Sequence, residues 1–164
     1  TTVMQQKKFS KDKFKVFHPG GNIGKSLLLA KDIMVTGNKI PSIDQNKTFQ
    51  EALKEMNKKK LGCVVVTKNN KISRFISDGD LRRALNKSNN NKKLSNIGKN
   101  NPFVINENMP ASKSLAIMSE KKITSLLVVS DQDRNKQNKK LKGIIHIHFL
   151  IQRGIDQWSL EKKN

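Results

Sequence analysis

The feature that most restricts the fold of this chain is that it carries one pattern twice. Leu53, Met56, Leu61 and the run Val64-Val65-Val66 return as Leu115, Met118, Ile123 and Leu126-Leu127-Val128, each displaced by 62 positions. The basic pair Lys59-Lys60 returns in the same register as Lys121-Lys122. Further on the displacement grows to 69, because Asp131–Lys142 is a longer loop than Lys68–Ser73. A unit of roughly 60 residues buries its apolar face poorly alone, so two copies are expected to pack against one another.

Each copy reads alike locally. Thr48 with Glu51 three positions later forms a capping box ahead of the apolar stripe Phe49, Ala52, Leu53 and Met56, which predicts a helix ending near Lys60. Cys63–Thr67 is a continuous apolar run of the kind buried on both faces. Asn69-Asn70 marks a turn, Lys71–Ser77 returns as a second strand, and Asp78 is placed to cap a helix running to Asn86. The second copy predicts a helix from Pro110, strands at Ser125–Ser130 and Leu141–Ile147, and a helix to Gly154. The repeated unit is therefore β-α-β-β-α, an α/β (α+β) fold in which two such units pack through their sheets. Residues 1–29 belong to neither copy; residues 30–90 and 91–156 hold the two repeats, and residues 157–164 form a polar tail.

Composition bears on partners. There are 33 Lys and Arg against 13 Asp and Glu, a formal charge of +20 over 164 residues. Such a surplus attracts phosphate polymers. Against that, 28 of the cations are Lys and only 5 are Arg, they are spread over every segment, and the 18 Asn that accompany them point to A-rich codons. A nucleic-acid reader would cluster its charge and favour Arg. The single Cys63 excludes an internal disulfide framework and a multi-cysteine zinc site, and fits a reducing cytoplasm. No apolar run reaches the roughly 18 residues of a spanning helix, and no signal peptide is visible. The first residue is Thr1, which suggests a piece cut from a longer chain.

The duplicated unit and four segments within the chain carry a resemblance. The duplicated unit resembles the CBS domain, which occurs in tandem as a regulatory module (a CBS-domain pair, or Bateman-type module). Ser77-Asp78-Gly79-Asp80-Leu81-Arg82-Arg83-Ala84-Leu85 is similar to the TDGDLRRAL segment of sugar-phosphate isomerases of the KpsF/GutQ type, the arabinose-5-phosphate isomerases. His18-Pro19-Gly20-Gly21 with Gly24, Asp32-Ile33-Met34 with Thr36-Gly37 and Ile40-Pro41, and His146-Ile147-His148 with Arg153-Gly154-Ile155 resemble further segments of that family, in its order.

The resemblance implies a parent enzyme that interconverts ribulose 5-phosphate and arabinose 5-phosphate on the route to the Kdo sugar of lipopolysaccharide or capsule. It places the chemistry in a sugar isomerase (SIS) domain ahead of Phe9, with only His18 of the catalytic set in this chain. Proton transfer between carbons needs a base and an acid partner together, so this chain alone is expected to be silent. The resemblance also implies self-association, no required cofactor, and a regulatory ligand such as an adenine nucleotide or the sugar nucleotide CMP-Kdo.

CBS units that bind adenosyl compounds carry Ser or Thr at a strand end and Asp three residues later, which Ser77-Asp78-Gly79-Asp80 matches. Asp80 can accept from both ribose hydroxyls, Gly79 lets a ligand approach the backbone, and the Ser77 hydroxyl, with Arg82 and Arg83, suits a phosphate. The plainer alternative is that Asp78 caps the helix and Asp80 complements its dipole. In the second copy Phe149 replaces the expected Asp, so that site is not expected to bind adenosine. Arg74 stands where a Gly usually begins the strand, and Ile97-Gly98 departs from the usual Met-Thr, which together predict a looser linker. His146 and His148 alternate by two, placing both on one strand face, but no third metal ligand accompanies them. Three functions follow for test: a regulatory CBS pair, a ligand-free module that holds an oligomer together, and a basic nucleic-acid binder.

Overall fold

The computed structural model describes residues 27–87 and 92–155. His18 with its glycine-rich neighbours, most of the 1–29 segment and the 157–164 tail lie outside the described residues. In chain order the elements are α1 (Ala30–Ile33), β1 (Ser42–Asp44), α2 (Phe49–Lys59), β2 (Cys63–Lys68), β3 (Lys71–Ser77), α3 (Asp78–Leu85), β4 (Lys99–Asn100), β5 (Val104–Asn106), α4 (Ala111–Lys121), β6 (Ser125–Val129), β7 (Gly143–His146) and α5 (Ile147–Gln152). The β-α-β-β-α unit thus occurs twice. One sheet has the order β1-β2-β3-β4 and the other β5-β6-β7. In each, the first strand pairs parallel to the second and the second antiparallel to the third.

The apolar runs explain the layering. Successive strand residues point to opposite faces. Val64 and Val66 face Phe49, Ala52 and Met56 of α2, and Leu126 and Val128 face Leu115 and Met118 of α4. The alternate residues Cys63, Val65 and Leu127, with Ile144, form a third cluster where the two sheets meet. Both faces of β2 and β6 are therefore buried, which is why they read as continuous hydrophobic runs rather than alternating ones. Cys63 Sγ lies 3.9 Å from Ser125 Oγ, its own counterpart 62 residues on. The two copies are thus related by an approximate two-fold axis through this contact.

The units also exchange their lead-in segments. Residues 28–35 lead into the first copy but dock on the second. Ala111 N donates to Leu28 O, Ala30 N to Met109 O, and Val35 and Ile144 exchange backbone hydrogen bonds. Ala30 and Ile33 are buried among Leu115, Met118 and Leu150. Reciprocally, Leu94 and Ile97 are buried in the first copy, and β4 pairs with β3.

Two expectations are corrected here. The linker is not loose over residues 94–100: Arg74 Nε donates to Ile97 O at 2.8 Å and its Nη2 to Gly98 O at 3.0 Å. Gly98 sits at φ +72°, and a Cβ there would overlap the Phe75 carbonyl. The departures from the family pattern at Arg74 and Gly98 thus work together, the long side chain clamping a backbone that only glycine brings so close. Second, His146 and His148 do not share a strand face. β7 ends at His146, and His148 lies in the first turn of α5, where their rings stack at 4.7 Å.

Candidate functional site

The first strand–helix junction is fixed by a reciprocal cap. Ser77, the last residue of β3, is the N-cap of α3, and its hydroxyl accepts from Asp80 N. Asp80 Oδ2 accepts in return from Ser77 N at 2.8 Å and from the Ser77 hydroxyl at 2.7 Å. The cap is therefore Ser77, not Asp78, because only the residue before the first helical turn has extended backbone that aims its side chain at the free N–H groups. Asp78 instead forms an ion pair with Arg82 at 2.6 Å on the helix exterior. The other oxygen of Asp80, Oδ1, accepts from Arg83 Nη2 at 2.5 Å. Burial opposes ionisation of Asp80, but the Ser77 N–H and hydroxyl, then Arg83, outweigh it and hold its carboxyl below the usual carboxylate range. Asp80 is only partly exposed, not an open surface carboxylate.

This junction opens on a cleft of about 370 Å³ between the copies, a volume of the order that small-molecule sites occupy. Ser77, Asp80 and Arg83 line it, whereas Asp78, Gly79 and Arg82 do not. Its floor is apolar, from Phe75 and Leu127, and Cys63 and Ser125 stand at its depth. Burial pushes the Cys63 thiol up to about 11, against a smaller opposing hydrogen bond to Ser125, so the sulfur is a neutral wall and not a nucleophile.

Sequence reasoning missed the far rim, which the second copy supplies: Lys99, Phe103, Lys122 and Thr124. Lys99 is brought there by the pairing of β4 with β3. Lys122 is brought there by the left-handed turn, φ +53°, that ends α4. Phe103 is half exposed, with the Lys121 ammonium 4.5 Å from its ring centre. The one sequence signal for this rim is the Lys59-Lys60/Lys121-Lys122 repeat, which marks the same turn in both copies.

At the second junction the counterparts of Ser77 and Asp80 are His146 and Phe149. His146 Nδ1 accepts from His148 N at 3.2 Å, capping α5 with an imidazole. Phe149 packs against the buried cluster of the second copy and carries no polar group. Burial, and then the neighbouring His148, hold the His146 imidazole below its ordinary value. Among the described residues no group of three His, Cys, Asp or Glu is placed to hold a metal ion, and no helix is long and apolar enough to cross a membrane.

Comparison with known proteins defines the class first. The CBS domain family matches residues 30–87 and 94–148, and the chain belongs to that family. Its fold is that of solved CBS domain pairs. It is similar to the CBS domain pair of protein MJ0100, crystallised with 5′-methylthioadenosine and S-adenosyl-L-methionine, at a TM-score of 0.65 and 22% identity over 77% of this chain and 94% of that one. It is also similar to CBSX2 in complex with AMP, at a TM-score of 0.62 and 19% identity, over 83% of this chain and 98% of that one.

Among curated sequences it is 38% identical over 156 residues to an uncharacterized protein of Rickettsia prowazekii, covering 94% of this chain and 47% of that protein. It is 32% identical over 157 residues to arabinose 5-phosphate isomerase KdsD of Yersinia pestis, covering 93% of this chain and 46% of that enzyme. The chain spans about half the length of the curated relatives it matches, and it is homologous to the CBS-pair part of KdsD.

Proposed function

We propose that this CBS pair is the regulatory part of an arabinose-5-phosphate isomerase, joined to an SIS domain that carries the chemistry, and that its first junction is a sensor for a phosphorylated small molecule. The observation that carries the reading is the convergence of Ser77, Asp80 and Arg83 with Lys99 and Lys122 on one cleft with an apolar floor. A ribose can be held by the Asp80 carboxylate, a base can lie against Phe75 and Phe103, and a phosphate can be met by Arg83, Lys99 and Lys122. An adenine nucleotide fits this division, as does a sugar nucleotide such as CMP-Kdo. Relatives of the same fold crystallised with AMP and with S-adenosyl-L-methionine support the adenine form. The CBS surfaces of two copies are proposed to associate, and Phe149 leaves one ligand per chain.

Calorimetric titration with AMP, ATP and CMP-Kdo tests this. One ligand is expected to bind with a stoichiometry of one, and Asp80→Asn, which keeps shape and one acceptor, is expected to weaken it by roughly tenfold or more. A second reading rests on one observation: both oxygens of Asp80 already have partners inside the protein. If all three compounds are silent, the pair is a structural element that holds the oligomer together, and the sensor idea is abandoned.

A further inference from the structure

Another cavity, of about 520 Å³, lies at the opposite end of β3 from the strand–helix junction. Pro102 is the one residue that lines both this cavity and the cleft. Its outer wall comes from the long loop 131–142 of the second copy, the segment that breaks the 62-residue register. That loop crosses to the first copy. Ile72 N donates to Lys139 O at 2.8 Å, and Lys71 and Lys140 form an isolated antiparallel bridge. The contact covers a stretch of the β3 edge that β4, paired at Arg74 and Phe75, leaves open.

Edge cover needs only backbone, yet side chains fix this loop as well. At its start Asn108 Nδ2 donates to Asp131 Oδ2 at 2.7 Å. In its middle Asp133, whose side chain is only 13% exposed, accepts from Lys136 Nζ at 2.8 Å and from Lys140 N at 3.4 Å. The bridge to β3 holds its far end. The wall is therefore in place before any ligand arrives.

The lining decides what such a wall can hold. Lys136 and Lys139 bring two cations, and no acid accompanies them. Asn101, Asn135 and Gln137 bring three primary amides. Among the described residues these amides have no side-chain hydrogen-bond partner, whereas Lys136 is held by Asp133. The apolar part, Ile72, Pro102 and Val104, contains no aromatic ring, so a nucleobase finds nothing to stack on, in contrast to the cleft. A primary amide sets a donor beside an acceptor, which matches neighbouring hydroxyls on a carbon chain. Ammonium groups are point charges that meet a phosphate from any side, where a carboxylate favours the fork of an Arg.

We infer that the loop 131–142 builds a separate binding site for a phosphorylated sugar or polyol. Its hydroxyls lie on the amides of Asn101, Asn135 and Gln137, and its phosphate lies against Lys136 and Lys139. The inference stands apart from the nucleotide reading, since the two sites share no polar residue and differ in ligand chemistry.

NMR titration of the isotope-labelled full chain with D-ribose 5-phosphate, D-ribose and inorganic phosphate tests this. Signals of Asn101, Asn135 and Gln137 are expected to move with ribose 5-phosphate, while those of Ser77–Arg83 stay still. Its affinity is expected to exceed that of ribose or phosphate alone by roughly tenfold or more, because both ends of the molecule are held. The variant Q137A/K139Q leaves the Lys136–Asp133 pair intact and is expected to weaken binding by roughly tenfold, with the rest of its spectrum unchanged. Inorganic phosphate matching ribose 5-phosphate overturns the inference, since the amides then contribute nothing. Full affinity in the variant, movement confined to Ser77–Arg83, or no movement at all overturns it too. None of these outcomes bears on the nucleotide reading, which the titration with AMP, ATP and CMP-Kdo decides.

Discussion

At the first junction Ser77 and Asp80 exchange hydrogen bonds and leave a carboxylate oxygen and a guanidinium facing a cleft. At the second, the same two places hold His146, which caps its helix through a ring nitrogen, and Phe149, which turns into the core. The backbone frame is shared: Asp78 N donates to Gly62 O at 2.9 Å, and its counterpart Ile147 N donates to Thr124 O at 2.8 Å. The two copies thus share one backbone geometry at this junction, and only the first carries a carboxylate and a guanidinium there. The lesson is that the repeated hydrogen bonds report the fold, and the unrepeated side chains report where the two copies differ in chemistry.

The largest test of that distinction lies where each sheet meets the lead-in segment of the other copy. Gly98 combines a positive φ with the Phe75 carbonyl directly in the path of any Cβ, whereas Gly143 has no positive φ and its Cβ would meet the flexible Met34 side chain and, less closely than at Gly98, the Val35 carbonyl. Gly98→Ala is expected to cost about 3 kcal/mol or more, and Gly143→Ala about 1–2 kcal/mol. Urea denaturation of both variants reads the difference, and equal losses would mean that the two crossings are not distinct.

Next in size are the caps. Ser77→Ala removes a hydroxyl that both accepts from Asp80 N and donates to Asp80 Oδ2, and is expected to destabilise by about 1 kcal/mol. His146→Asn substitutes one capping acceptor for another and should be close to neutral near pH 7. A neutral Ser77→Ala would contradict the reciprocal cap.

The smallest effect is the pH response of the second junction. The folded pKa of His146 is depressed below 6.5, so the unfolded chain takes up the proton first as pH falls. The stability that neutral His146 contributes is complete above that value and is lost as pH drops through 6.5 toward the folded pKa. The melting temperature is expected to fall by a few degrees at most between pH 7 and 5.5, and His146→Asn is expected to remove that portion. The first junction gives no such response there, since the depressed pKa of Asp80 places its loss at lower pH, in the carboxylate range. An unchanged pH profile in His146→Asn would remove His146 as the titrating group.

Much of the fold was legible because periodicity is a local property. The capping box at Thr48 and Glu51, the apolar runs at Val64 and Leu126, and the 62-residue displacement each predicted an element within a few residues of where it stands. The exchange of lead-in segments was not legible. Ala30–Val35 reads as the start of the first copy, and nothing local says that its partners lie near Met109 and Ile144. The site was half legible for the same reason. Ser77, Asp80 and Arg83 sit on one strand and helix, where spacing places them, while Lys99, Phe103 and Lys122 reach the cleft only through β4 pairing and a left-handed turn. Arg82 illustrates the opposite error: adjacent in sequence to Arg83, it projects roughly 100° further round the helix and meets Asp78 instead.

The exchanged lead-in segments carry a consequence for how such a chain came to exist. A single copy, folded alone, would leave bare the surface on which Ala30 and Ile33 rest, and its own lead-in would have nowhere to lie. Two identical copies would cure both defects by lending each other that segment, as swapped dimers do. Joining them end to end turns a concentration-dependent loan into a permanent one. Once joined, neither half has any longer to match a copy of itself, and in this chain one half carries Asp80 where the other carries Phe149.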